Sequence, residues 1–164
     1  RYLRFMRSVF ILLATCCLCM AHGPRVEHFV FDQEDVLEPV QEERFDSLFR
    51  AHEAVTGNEI ALVTTTGLHG HLDMQGFAAT FGDSLGVGKR GRNNGVVIAF
   101  SKQLRSVFVS TGLGTESVLT DAQCAQIVDS LMIPLFKEDM AEDGLWLGSL
   151  AIVHHLEQPE NRIP

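Results

Sequence analysis

The stretch GVGKRGRNNGVVIAF, Gly86 to Phe100, places four glycines and three basic residues ahead of an apolar run. Glycine and lysine together suggest a phosphate cradle. A P-loop, however, needs Gly, four residues and then Gly-Lys-Ser/Thr, following a strand and opening a helix. Here Gly82 and Gly88 enclose five residues, Lys89 is followed by Arg90, and the segment follows a helical pattern and enters a strand. Spacing, hydroxyl and context all fail, which excludes a nucleotide. The same residues read as a helix stop at Gly86, a basic loop, and a turn at Asn93-Asn94-Gly95. His69 and His71 form an HGH pair, but zinc needs about four ligands, and only scattered histidines and one cysteine lie outside the first twenty residues. A solvated loop is the expected reading. Cys124 falls in an apolar helical pattern without a partner base, and there is no GxSxG elbow. His154 and His155 are placed to favour a helix dipole.

Residues 1–22 have the layout of a secretory leader. Arg1, Arg4 and Arg7 precede an apolar run from about Val9 to Met20 and a small-residue exit at Ala21 or Gly23. The run is shorter than the roughly 20 residues a spanning helix needs. The expected product is a secreted or periplasmic domain over residues 23–157 with a tail at 158–164; a lipid anchor at Cys16 is the minor alternative. Three of the four cysteines belong to this leader, which leaves Cys124 alone. The formal net charge is −8, and loss of the three leader arginines lowers it to −11. Nucleic acid is thereby excluded as a partner, while cations and basic surfaces suit the charge.

The remaining pattern predicts the elements that position these groups. Phe45, Leu48, Phe49 and Val55 recur at helical spacing between Pro39 and Gly57. EIALVTT, Glu59 to Thr65, reads as a strand buried on both faces. Leu72, Phe77, Phe81 and Leu85 mark a second helix closed by Gly86. GVVIAF and RSVFVST, joined by SKQL, predict an antiparallel hairpin. Thr120 caps a third helix carrying Ile127, Val128, Leu131, Met132 and Leu135, with Pro134 loosening its last turn. A final helix spans about Met140 to Leu156. The fold class is α/β: a three-layer sandwich with a mixed, roughly four-stranded sheet and helices on both faces. Ligands in such sheets sit beyond strand carboxyl ends, so the loops near Thr65 to Gly70, near Ser101 and after Thr111 are the places to search.

Seven segments in order carry a family resemblance: FDQEDVLEP, TGNEIALVTT, GVGKRGRNNGVVIAF, RSVFVSTGLGTE, LTDAQ, IPLFKEDMAEDGL and the closing helix. From about Val30 to Leu156 the chain resembles the TPM domain family. That resemblance implies an α/β sandwich, an extracytoplasmic setting, and calcium binding with acid phosphatase activity in some members; others are accessory factors for membrane proteins. The family's Asp-Asn-Gly appears here with Asn93 in place of the Asp, which removes one negative charge from a metal site while leaving an amide oxygen.

The resemblance implies a cation set of Asp32, Asn93, Glu116 and Asp121, converging at one sheet edge and holding calcium. In the hydrolytic reading, Asp32 or Asp121 is the nucleophile or a metal-bound water attacks, and Arg105 grips the phosphoryl group. The bland alternative gives Asp121 to a helix N-terminus beside Thr120, Asp32 to a turn, and Arg105 to a surface ion pair. Gly112 and Gly114 then serve either turn geometry or close approach to a ligand. Two functions follow: a calcium-binding domain with weak acid phosphatase activity, or a non-catalytic module that docks on a membrane protein or its assembly machinery.

Overall fold

A computed structural model describes residues 28–163. The leader therefore lies outside the described residues. Four strands form one sheet in the order β1 (Val30–Asp32), β2 (Glu59–Thr64), β3 (Gly95–Ser101) and β4 (Ser106–Thr111). The first three are parallel and β4 runs back against β3, pairing Ser101 with Ser106 and Val96 with Thr111. The sheet consequently has a carboxyl end at Asp32, Thr64 and Ser101, and an amino end at Glu59, Gly95 and Thr111. β1 is the strand that periodicity does not disclose, because three residues are too few to show alternation.

Period-2 alternation sorts the strand side chains into two cores. Ile60, Leu62, Val96, Ile98, Phe100 and Val109 face one side, where helices α1 (Pro39–Thr56), α4 (Asp121–Ile127) and α6 (Ala141–Glu157) cover them. Val63, Val97 and Ala99 face the other side, under α2 (Met74–Leu85). The three-layer expectation is met, with unequal layers.

Helix ends follow their cap chemistry. Glu38 and Gln41 form a capping box ahead of Pro39, and Gly57 closes α1 in the left-handed region at φ 76°. Asp73 caps α2 by accepting from the Gly76 amide. Three predicted stripe residues miss the core: Val55 is exposed and His52 takes the buried position one turn earlier, Leu72 precedes the cap and is 99% exposed, and Leu85 at the end of α2 is exposed as well. After α3 (Leu113–Glu116), a single turn, Thr120 caps α4 in a second capping box. The helix predicted from Thr120 is broken by a π-helical turn, Val128–Met132, before α5 (Ile133–Lys137). Pro134 has no N–H for the Ser130 carbonyl, and the ladder widens one residue upstream, where the Ile133 amide reaches Val128 O. The effect of Pro134 is therefore felt before it, and the helix continues past it.

Candidate functional site

The five sequence-predicted residues fall at two ends of the sheet. Asp32 closes β1 at the carboxyl end, and Arg105 ends the β3–β4 turn at the same end. Asn93 precedes β3 at the amino end, and Glu116 and Asp121 belong to the segment that leaves β4 there. A six-residue strand separates the two groups by roughly 20 Å. The structure thus brings Asn93, Glu116 and Asp121 to one end and Asp32 to the other, and the predicted four-residue convergence does not form.

Each residue has a local occupation. Asp32 Oδ1 accepts from the Val36 amide at 3.1 Å and Oδ2 from the Leu37 amide at 2.7 Å, and Oδ1 also takes the Thr64 hydroxyl. Thr64 Oγ1 in turn accepts from the Glu34 amide at 3.0 Å. Asp32 is the turn residue that steers the chain from β1 into α1. Asn93 sits at φ 50°, its amide on Lys89 O and its carbonyl taking the Gly114 amide, both at 3.0 Å. Glu116 and Asp121 are exposed, and Asp121 adds its charge to the first turn of α4 beside Thr120. Arg105 is exposed at φ 50° and makes no ion pair among the described residues.

Calcium takes six to eight oxygens gathered closely. Among the described residues, no three His, Cys, Asp or Glu side chains gather closely enough to hold a metal ion. The donor set as folded does not fit that ion. His69 is drawn instead to Thr65, 3.0 Å from its hydroxyl, and both loop histidines lean on the Phe77 ring.

Within the basic stretch Lys89 is structural, while Arg90 and Arg92 are exposed. Lys89 Nζ binds Glu59 Oε1 at 2.8 Å and also Glu53 Oε1, while Glu59 Oε2 accepts the Gly88 amide at 2.8 Å. Buried Asn94 takes the Lys89 amide on Oδ1 at 2.7 Å and donates to Gly57 O and Asn58 Oδ1, both at 2.9 Å. Burial opposes the Lys89 charge, but its bonds to Glu53 and Glu59 and their negative charge outweigh that and raise its pKa. This lysine is already neutralised and has no phosphate to hold.

The feature that sequence reasoning missed is a cleft of about 640 Å³ at the carboxyl end. Glu34 and Asp35 line it from the β1–α1 loop, Lys102 from the β3–β4 turn, and Asp139, Glu142 and Asp143 from the start of α6. Glu34 clips two loops together, accepting the Lys102 amide at 2.8 Å and the Gln103 amide at 2.7 Å. Lys102 Nζ lies 2.9 Å from Asp139 Oδ1. Arg44 stacks 3.7 Å over Trp146 and reaches Glu142 at 3.4 Å. Burial raises the Glu142 pKa, Asp143 adds to it by like charge, and Arg44 opposes the rise. Five carboxylates face this space with one lysine among the lining residues. The signal was the two acidic runs, QED and KEDMAED, whose meeting is a matter of topology.

An α/β sandwich with an acidic cleft beyond its parallel strands is the class that the geometry defines. The chain belongs to the TPM domain family, whose profile matches residues 30–155. Among solved structures it is similar to the N-terminal domain of a P. gingivalis protein, at 28% identity and a TM-score of 0.74, covering 84% of this chain and 87% of that one. The BA42 protein of Bizionia argentinensis shares the fold at 20% identity and a TM-score of 0.61, covering 80% and 84%. The N-terminal domain of a Corynebacterium glutamicum protein does so at 18% and 0.57, covering 79% and 82%. No curated protein matches the sequence.

Proposed function

We propose that this TPM domain is a non-catalytic docking module whose carboxyl-end cleft receives a basic segment of a protein partner. The observation that carries the reading is the meeting of three loops around five carboxylates in about 640 Å³. Lys102 offsets Asp139 and Arg44 offsets Glu142, and the negative charge that remains favours a cation that enters. A point ion would need a tighter oxygen shell, whereas lysine or arginine side chains of a peptide can reach separate carboxylates across an open cleft. Met140, a lining residue that is 44% exposed, offers an apolar contact for the stem or neighbour of such a side chain. Specificity and on-rate, more than raw affinity, are what such a surface supplies.

The calcium-dependent phosphatase reading rests on the family resemblance. Asp32 is engaged by two amides and a hydroxyl, and an anionic phosphoryl group would meet carboxylates in the cleft. Export to an extracytoplasmic compartment remains part of the proposal through the leader sequence. The test is fluorescence polarisation with a labelled 15-residue peptide of alternating arginine and leucine, with the Asp139→Asn/Asp143→Asn double variant beside the natural chain. Saturable binding that weakens with salt and falls at least tenfold in the variant supports the module. Binding unchanged in the variant overturns it.

A further inference from the structure

The mismatch between the expected calcium donors and the folded chain is itself informative at the amino end of the sheet. Here three segments must be held together: the last turn of α1, the start of β2, and the loop that carries Asn93. Glu53 and Glu59 face each other across this junction, with Glu59 buried at the start of β2 and Glu53 part-buried on α1. Two carboxylates this close repel unless a cation lies between them.

We infer that Lys89 is the resident cation of this junction, its ammonium bridging Glu53 and Glu59 so that the domain folds without a divalent ion. Three observations support the assignment. Lys89 Nζ bonds to both carboxylates, at 2.8 Å to Glu59 and in contact with Glu53. The lysine's own backbone is fixed, its amide on Asn94 Oδ1 and its carbonyl accepting from the Arg92 and Asn93 amides at 2.9 and 3.0 Å. Neighbouring oxygens already accept hydrogen bonds within the chain: Glu59 Oε2 from the Gly88 amide, Asn58 Oδ1 from Asn94, and Asn93 O from the Gly114 amide. A tethered ammonium gives up no translational freedom on capture, and its cost is the ordering of one lysine side chain. The inference concerns how the fold is held, and it stands or falls separately from docking at the opposite end.

Thermal unfolding of the purified chain in millimolar calcium and in excess EDTA is the first measurement. A site that binds calcium in the native state would raise Tm with calcium concentration. The expected result is the same Tm in both buffers, and a calcium-dependent rise that persists in the Asp139→Asn/Asp143→Asn chain, whose acidic cleft is weakened, overturns the inference. Lys89→Met is expected to lower Tm by about 5–10 °C, with Lys89→Arg losing less than half of that. In Lys89→Ala, where the two carboxylates are left facing each other, calcium is expected to recover part of the loss. A Lys89→Met chain as stable as the natural one also overturns the inference. If Lys89→Met does not fold, a folded Lys89→Arg chain with calcium-independent Tm supports it, and an Arg variant that fails as well overturns it.

Discussion

The Nδ1 atom of His52 lies 3.1 Å from Glu157 Oε1, joining the last turns of α1 and α6 across a distance of 105 residues. His52 is 1% exposed, and its Nε2 is 3.2 Å from Thr56 Oγ1. Burial depresses its pKa, while the bond and charge of Glu157 pull the other way without prevailing. The unfolded chain therefore takes up a proton near pH 6.5 while the folded chain still resists it. Stability tied to this group is complete above about pH 6.5 and declines as pH falls toward the folded value. Urea unfolding at pH 7.5, 6.0 and 5.0 is expected to show a decline that is shallower in His52→Gln. Parallel pH profiles for the two proteins would remove His52 from this role.

Asp32 is expected to report on stability before any activity. Replacing it by Ala strands the Val36 and Leu37 amides and the Thr64 hydroxyl, of which Leu37 and Thr64 belong to buried residues and Val36 to a half-buried one. A buried donor left unpaired costs about 1–3 kcal/mol, and the half-exposed setting of Asp32 and Val36 keeps the total for Asp32→Ala to about 3 kcal/mol. Asp32→Asn retains an acceptor and is expected to lose about half as much. Denaturant midpoints at constant m-value measure this, and an unshifted midpoint in Asp32→Ala would contradict the turn assignment.

Cys124 is buried, and its thiol pKa is pushed up to about 12, first by burial and then by the charge of Asp121. Thiolate is the reactive form. The folded chain is expected to react with iodoacetamide at pH 8 at least a hundredfold more slowly than the urea-unfolded chain. Mass spectrometry of the Cys124 peptide gives both rates, and equal rates would show that the thiol is accessible.

What could be read from the sequence had a local cause. The buried strands β2 and β3 announce themselves by unbroken apolar runs, and the caps at Thr120 and Gly57 by single residues whose chemistry fixes a helix end. The family resemblance rested on the same local segments in order. The site was harder because it depends on pairings that spacing does not encode. Glu34 meets Lys102 across 68 residues, and Lys89 meets Glu53 and Glu59 across 36 and 30. Antiparallel β4 delivers Glu116 to the amino end, away from Asp32, a consequence of strand direction that a list of polar positions does not contain. The turn reading of Asp32 was available from its place just before the first helix at Pro39, and the hydrogen bonds from the Val36 and Leu37 amides realise it.

The glycines of TGLGTE answer to a close approach, and the approaching group belongs to the chain itself. A Cβ on Gly112 would lie 2.3 Å from Asn93 O, and one on Gly114 would lie 2.0 Å from Arg92 O. Both obstacles are backbone atoms of the loop that enters β3, so neither can move aside as a flexible side chain would. The amide of Gly114 also donates to Asn93 O at 3.0 Å, and the Gly112 amide to Gly95 O at 2.9 Å. Forcing a methyl group between these segments must either break those bonds or displace the loop anchored by Lys89. Overpacking of this kind costs about 1–3 kcal/mol. Gly114→Ala is expected to fall in the upper half of that range, and Leu113→Ala, whose side chain is 77% exposed, within about 0.5 kcal/mol of the natural chain. Because the loop carries Asn93, Gly114→Ala should also shift the backbone NMR resonances of residues 91–94 while leaving those of Glu142 and Asp143 at the opposite end unchanged. Equal stability of the two variants would mean that the loop gives way freely and that the glycines answer to turn geometry alone.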